Sequence, residues 1–255
     1  SQDYRGAAHF SGRLTAPLVA AGAICLQVLR QKGIVIGSHI LQLHGIQDRP
    51  FSTEETGLRQ EILSLDSEGF PVLRPEAGET MVREIEAAAA VGDSVGGVLE
   101  TAVSGMPAGI GEPFFGSVES KLSALLYSVP GIKGIAFGLG FGFAGQFGSE
   151  ANDPFYMREG RVVTRTNHNG GINGGVTNGM PILFRCAVRP TPSIYPPQQT
   201  VDLAARTDAQ LQIAGRHDPA IIHRARVVVE AATAIGLCDL FCERYGYMWM
   251  TDTRQ

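Results

Sequence analysis

Cysteine is scarce in this chain and follows no pattern. The four thiols, Cys25, Cys186, Cys238 and Cys242, sit in apolar segments without the spacing of a disulfide framework. They read as reduced core residues of a cytoplasmic protein. Cys238 and Cys242 are one helical turn apart but have no further Cys or His at zinc-site spacing. Aromatic residues make up only 7% with a single Trp, and Lys and Arg are scattered, so there is neither a base-stacking platform nor a phosphate-backbone track. A net charge of -4 with a pI near 5.9 also argues against a nucleic-acid partner. No apolar run reads as long enough to span a bilayer, so no membrane partner is expected. P-loop, nucleophile elbow and a Gly-x-Gly-x-x-Gly between strand and helix are all missing. The chain opens Ser-Gln-Asp-Tyr-Arg, without an initiator Met or a signal-peptide pattern, and a preceding segment is expected to have been removed or omitted.

What is present suits a folded domain with a substantial core: 255 residues, 44% hydrophobic and 18% charged. Thr15 is placed to cap a helix that tolerates Pro17 and ends at Gly33. A strand is expected over 34–43. Ser52 and Glu55 suggest a capping box before Leu58, Ile62 and Leu65 at helical spacing. Further helices are expected over 75–90, 117–127 and 223–245, the last carrying Val227, Ala231, Ile235, Cys238 and Phe241. Strands are expected over 98–103, 132–137 and 182–188, with an extended edge over 200–203. The glycine-rich 138–148 reads as a tightly packed helix or a loop, and 152–161 as polar connection. Strands alternate with helices and no linker divides the chain, which predicts one α/β layered domain over residues 1–255.

The stretch from Arg161 to Ser193 draws most attention. Arg165, Asn167, His168 and Asn169 lead into Gly170-Gly171, Gly174-Gly175 and Asn178-Gly179, and then into the apolar run to Val188. Glycines in an ordered loop imply positive φ, close backbone approach or a nearby ligand. Arg165 and the adjacent amides suit an anion such as phosphate, while composition alone equally allows a surface loop without a ligand. The form Gly-Gly-x-x-Gly-Gly is followed by a strand, where a dinucleotide motif needs a helix. Three other polar islands, 5–13, 92–97 and 215–219, lie at the edges of apolar elements, and three of the four islands contain Arg. Together they suggest a polyanionic pocket. Asp218, beside Arg216 and His217, is either an ionised proton acceptor or half of a solvent-facing ion pair, the commoner case. His39 and His44 read as structural.

In order, the chain carries His9-Phe10-Ser11-Gly12-Arg13-Leu14-Thr15-Ala16-Pro17, Gly92-Asp93-Ser94-Val95-Gly96-Gly97, Thr164 to Gly175, Arg189-Pro190-Thr191-Pro192-Ser193 and Gly215-Arg216-His217-Asp218-Pro219. These motifs closely resemble those of chorismate synthase over almost the whole chain. Met180 stands where the family has an acidic residue or Gln, and Arg189 where Lys is usual. The resemblance implies a single-domain β-α-β sandwich, assembled as a homotetramer. It implies a lyase of the shikimate pathway of aromatic amino acid biosynthesis. That lyase removes phosphate from 5-enolpyruvylshikimate 3-phosphate (EPSP) by 1,4-anti elimination. Reduced FMN is required, with NAD(P)H only as a source of reducing equivalents and an external flavin reductase as a candidate partner.

By matching position, the resemblance implies that Ser11, Arg13 and Arg216 bind substrate and that Asp218 assists proton transfer through the flavin. FMN contacts would fall to His9, Phe10, Ser11, Pro130, Gly131, Gly174, Arg189, Pro190, Thr191, Pro192, Ser193 and Arg216. The family's GESHG and RPGHAD-like motifs, both carrying histidines with acid roles, are absent from this chain. The reading is therefore of an N-terminally incomplete synthase, expected to have little or no activity alone. The alternative is an impaired fragment that binds FMN or a phosphometabolite.

Overall fold

A computed structural model describes residues 11–65, 69–215 and 217–251. Ser11 caps a 3-10 turn over Gly12–Thr15, its hydroxyl accepting from Arg13 N at 3.2 Å. The turn runs into α1 (Ala16–Gln31). Thr15 does not cap that helix, because its hydroxyl donates back to Gly12 O within the turn. Next come β1 (Val35–Leu43), the short β2 (Ile46–Gln47), α2 (Glu55–Ser64), α3 (Pro75–Ala90) and β3 (Gly97–Ser104). The expected capping box at α2 is replaced. Glu54 caps it by accepting from Gly57 N at 2.9 Å, while Glu55 accepts from Ser104 Oγ and Gly105 N.

The second half holds α4 (Val118–Tyr127), β4 (Ile132–Phe137) and the single-turn α5 (Gly148–Ala151). Three hairpins follow that are not expected as such from the sequence: β5 (Phe155–Arg158) with β6 (Arg161–Thr164), β7 (Ile172–Asn173) with β8 (Val176–Thr177), and, after β9 (Ile182–Val188), β10 (Gln198–Asp202) with β11 (Thr207–Leu211). The first turns at Glu159-Gly160, both with positive φ, the geometry that suits a two-residue hairpin. The last helix is α6 (Ile222–Tyr245). Within 138–148, ahead of α5, only Gly140–Gly145 is helical, as a 3-10 helix, and Phe141 and Phe147 are exposed, so the stretch is not a tightly packed helix.

The main sheet has the order β2-β1-β3-β9-β4, with every pairing antiparallel. β9 inserts between β3 and β4, so the β3-α4-β4 unit is split and its two strands run parallel to each other. The α/β layering expected from the alternation is present. Among the described residues the other strands form two-stranded ribbons.

Alternate residues select the two faces of this sheet. Ile36, Ile40, Leu99, Val103, Phe184 and Cys186 enter one core with α1, α4 and α6. α6 is the axis of that layer, with 14 buried residues between Ile222 and Phe241; a helix apolar nearly all round requires cover on every side. Val227, expected on its buried stripe, is exposed. Small residues admit the neighbours: a Cβ at Gly22 would sit 2.4 Å from Ala231 Cβ. On the opposite face α2 packs Leu58 and Ile62 against Val35 and Ala102.

The span Gly12–Gln31 is, by length and composition, apolar enough to cross a membrane, with a mean hydropathy of 1.5 in an 18-residue window of its 20 residues. The sequence reading had excluded any such run. Its α-helical part is 16 residues, about 24 Å at 1.5 Å per residue, and lies along α6.

Candidate functional site

Four of the five motifs meet at one end of the main sheet. β3 starts there, β4 starts there, and β9 and β1 end there, as the antiparallel registers require. Gly96 lies against the Val188 carbonyl and Pro190, and Val95 N donates to Pro219 O at 2.8 Å. Ser94 Oγ donates to Thr191 O at 2.7 Å, and Arg189 N to Gly131 O at 2.9 Å. Pro130, Gly131, the run Arg189 to Ser193, and Asp218 are thereby brought together. α1 and α6 run in the same direction, since Gly22 faces Ala231 and Cys25 O accepts from Cys238 Sγ further along. Ser11 and Arg13, ahead of α1, therefore lie at the same end as Asp218, ahead of α6. His9, Phe10 and Arg216 lie outside the described residues.

Two helix N-termini point their partial positive charge at this end, and neither has a side-chain cap. Asp218 Oδ1 accepts from Ala220 N at 3.3 Å, and Oδ2 lies 2.7 Å from an Arg224 guanidinium nitrogen in an ion pair whose geometry is not that of an aligned hydrogen bond. Its ion-pair partner in the structure is thus Arg224. Burial lowers the His223 pKa; Asp218 pulls the other way and Arg224 adds to the lowering, leaving it below the usual value. His223 is accordingly a neutral imidazole near pH 7. His217 meets the Tyr195 ring edge-on at 5.0 Å, and Tyr195 OH donates to Gly215 O at 2.6 Å. Thr191 Oγ1, His217 Nε2 and His223 Nδ1 are buried without hydrogen-bond partners among the described residues. Three orphaned polar atoms in one place are rare in a finished interior. They fit a polar ligand with acceptor and donor groups.

Gly174 is not brought to this cluster. Its loop precedes β9, whereas Arg189 follows it, and seven extended residues place the two ends about 20 Å apart. The loop's glycines divide by role. Gly171 has φ +80 and a Cβ there would meet Pro181 O at 2.4 Å, while Gly170 and Gly175 are likewise pressed by neighbouring chain; Gly174, at φ +59, alone of these four faces open space. The polar residues beside them, which on composition suit either an anion or a loop without a ligand, fold the loop. Asp153 accepts from Thr166 Oγ1, His168 N, Asn169 N and Asn169 Nδ2 at 2.7–2.9 Å. Burial opposes its charge, but these bonds prevail and lower its pKa. The anion in this nest is the chain's own carboxylate.

A further polar group, invisible in the sequence, lies on the face of the sheet away from α6. His39 is fully buried between two acids, with Nε2 3.2 Å from Glu100 and Nδ1 3.3 Å from Asp48. The Nδ1 contact is the less well aligned of the two, yet Asp48 is the group it faces. Glu100 also accepts from Arg185 Nε and Phe51 N, and Asp48 from Leu73 N and Arg74 Nε. Burial opposes an imidazolium here, but the two carboxylates outweigh it and raise the His39 pKa. Burial opposes the Asp48 charge as well, yet hydrogen bonds take its pKa down to about 2. His44, by contrast, is exposed and bonds Glu84 at 2.5 Å. All four cysteines are free thiols, and burial pushes Cys186 and Cys238 up to about 12.

An α/β domain that collects arginine, histidine and carboxylate at two helix N-termini has groups suited to an anionic ligand. The chain belongs to the chorismate synthase family, whose model matches residues 1–242. It is 44% identical to a chorismate synthase of Pyrococcus abyssi over 93% of this chain and 64% of the relative. It is 43% identical to one of Thermococcus gammatolerans over 95% of this chain and 66% of the relative. A crystal structure of chorismate synthase superposes with a TM-score of 0.79 at 29% identity, covering 95% of this chain and 67% of that one. The chain thus spans about two thirds of the length of these relatives.

Proposed function

We propose that this chain carries a chorismate synthase site: elimination of phosphate from EPSP to give chorismate, at the sheet end where Gly131, Arg189 to Ser193 and Asp218 converge. The observation that supports it most is the cluster of buried atoms on Thr191, His217 and His223 without hydrogen-bond partners among the described residues, which suits a polar ligand there. Thr191 and the exposed Arg189 would hold reduced FMN, which when bound supplies electron density for breaking the carbon–oxygen bond. Ser11 and Arg13 bind the anionic substrate, helped by the N-termini of α1 and α6 as negative charge grows on the leaving phosphate. Asp218, fixed by Arg224 and Ala220 N, is the acid–base group that takes up or positions the departing ring proton. Neutral His223, beside it, offers a nitrogen able to share that proton. Arg216 as a substrate and FMN contact, assembly as a homotetramer, supply of reducing equivalents by NAD(P)H or an external reductase, and a cytoplasmic setting belong to the same proposal, while Gly174, beyond the other end of β9, falls outside it.

Anaerobic titration of the chain with reduced FMN, with and without EPSP, tests this reading. FMN binding that tightens when EPSP is present is the expected result. A chain that melts cooperatively yet binds neither compound refutes it.

A further inference from the structure

A second concave site lies on the other face of the sheet, near the start of β9, and none of its walls belongs to the cluster just described. It is a cavity of about 240 Å³ bounded by Glu100, Arg165, His168, Leu183 and Arg185, with Pro50 to Thr53 on one side and Gly138-Leu139 on another. Arg185 reaches it from β9, and Glu100 holds the guanidinium by Nε and Nη2, both 3.0 Å from one carboxylate oxygen. That bond fixes the plane of the fork. Arg165 enters from the glycine loop, lies over the Tyr156 ring at 4.9 Å, and pairs with no carboxylate among the described residues. His168 Nδ1 is buried without a hydrogen-bond partner, its nearest acid being Asp153 at 4.0 Å.

The acid on the wall does not cancel this charge. Glu100 is already engaged by Arg185, His39 Nε2 and Phe51 N. Behind it the chain of charges Arg74–Asp48–His39–Glu100–Arg185 alternates in sign and begins and ends on a cation. With His39 protonated, that chain sums to one positive charge and Arg165 adds a second at the mouth, against one negative charge on Asp153 behind His168, itself taken up by the loop's own donors. Two oriented guanidinium groups and an unsatisfied imidazole suit the planar or tetrahedral oxygens of a small oxyanion.

We infer that this cavity is a second anion site, taking a small carboxylate or phosphate between Arg165 and Arg185. It stands apart from the proposed synthase site, with which it shares no residue. The test is calorimetric titration of the whole chain without flavin, at constant ionic strength, using inorganic phosphate in one arm and malonate in the other. Saturable binding in either arm is expected, and the arm that binds more tightly identifies the oxyanion. Arg165→Gln, an exposed change, should weaken it about tenfold or more, as loss of a charge-assisted hydrogen bond does. Arg185→Lys should also weaken it, because Lys lacks the planar fork. Arg189→Gln, at the far end of β9, should leave this binding unchanged. No saturable binding in either arm, or affinity that responds to Arg189→Gln and not to Arg165→Gln, overturns the inference.

Discussion

Replacing His39 by Gln removes the one positive charge that Asp48 and Glu100 share. The imidazole is 0% exposed, so no water replaces it. A neutral imidazole has a single N–H and could satisfy only one acid, whereas the observed geometry places an acid at each nitrogen. Breaking a buried ion pair by removing one partner costs about 3–5 kcal/mol. Glu100 keeps Arg185 and Phe51 N, and Asp48 keeps Arg74 and Leu73 N, so the lower end of that range applies, about 3 kcal/mol. For a chain of this size that is a fall in melting temperature of roughly 6–12 °C. The pH dependence follows from the same cluster. The raised His39 pKa means that its contribution is complete below the unfolded value of about 6.5 and lost as pH rises through the folded one. The lowered pKa values of Asp48 and Glu100 mean that their contributions are complete above about pH 4.5 and lost as pH falls. Between those limits, near pH 5–6, the cluster contributes most. Thermal melts of parent and His39→Gln at pH 6 and pH 8.5 check this. A loss under 2 °C at pH 6, or equal alkaline weakening of both proteins, refutes the reasoning.

Gly22→Ala sets two effects against each other: helix propensity gains about 1 kcal/mol, but the new methyl would sit 2.4 Å from Ala231 Cβ, and overpacking of this kind costs typically 1–3 kcal/mol or more. A lowered melting temperature is expected, and a raised one would falsify the close α1–α6 contact. Gly171→Ala, which combines positive φ with a 2.4 Å approach to Pro181 O, should destabilise more than Gly174→Ala, which has positive φ in open space; equal losses in urea titrations would contradict the division of roles in this loop. If Asp218 is the acid–base group, Asp218→Asn should lower phosphate release from EPSP by about 10²–10⁴-fold with FMN affinity little changed, and undiminished turnover would remove it from that role.

Local pattern carried much of this protein. Strand 132–137, strand 182–188 and helix 75–90 are where periodicity places them, because a side chain's face follows from its position along a strand or helix. Family membership was also legible, since ordered motifs survive as strings. Local pattern did not reveal that β9 slots between β3 and β4, because strand pairing is non-local. The cap of α2 was misread for a related reason: Glu55 finds Ser104 and Gly105, remote in sequence, and Glu54 takes its place.

The chemistry divides the same way. Residue types alone suggested an anion site among arginines, glycines and an acid. Only the tertiary structure decided which of them meet. It pairs Asp218 with Arg224, turns the loop's amides onto Asp153, and leaves Arg165 and Arg185 to line a separate cavity. Charges choose partners by distance and burial, and both are set by how elements far apart in the chain pack together.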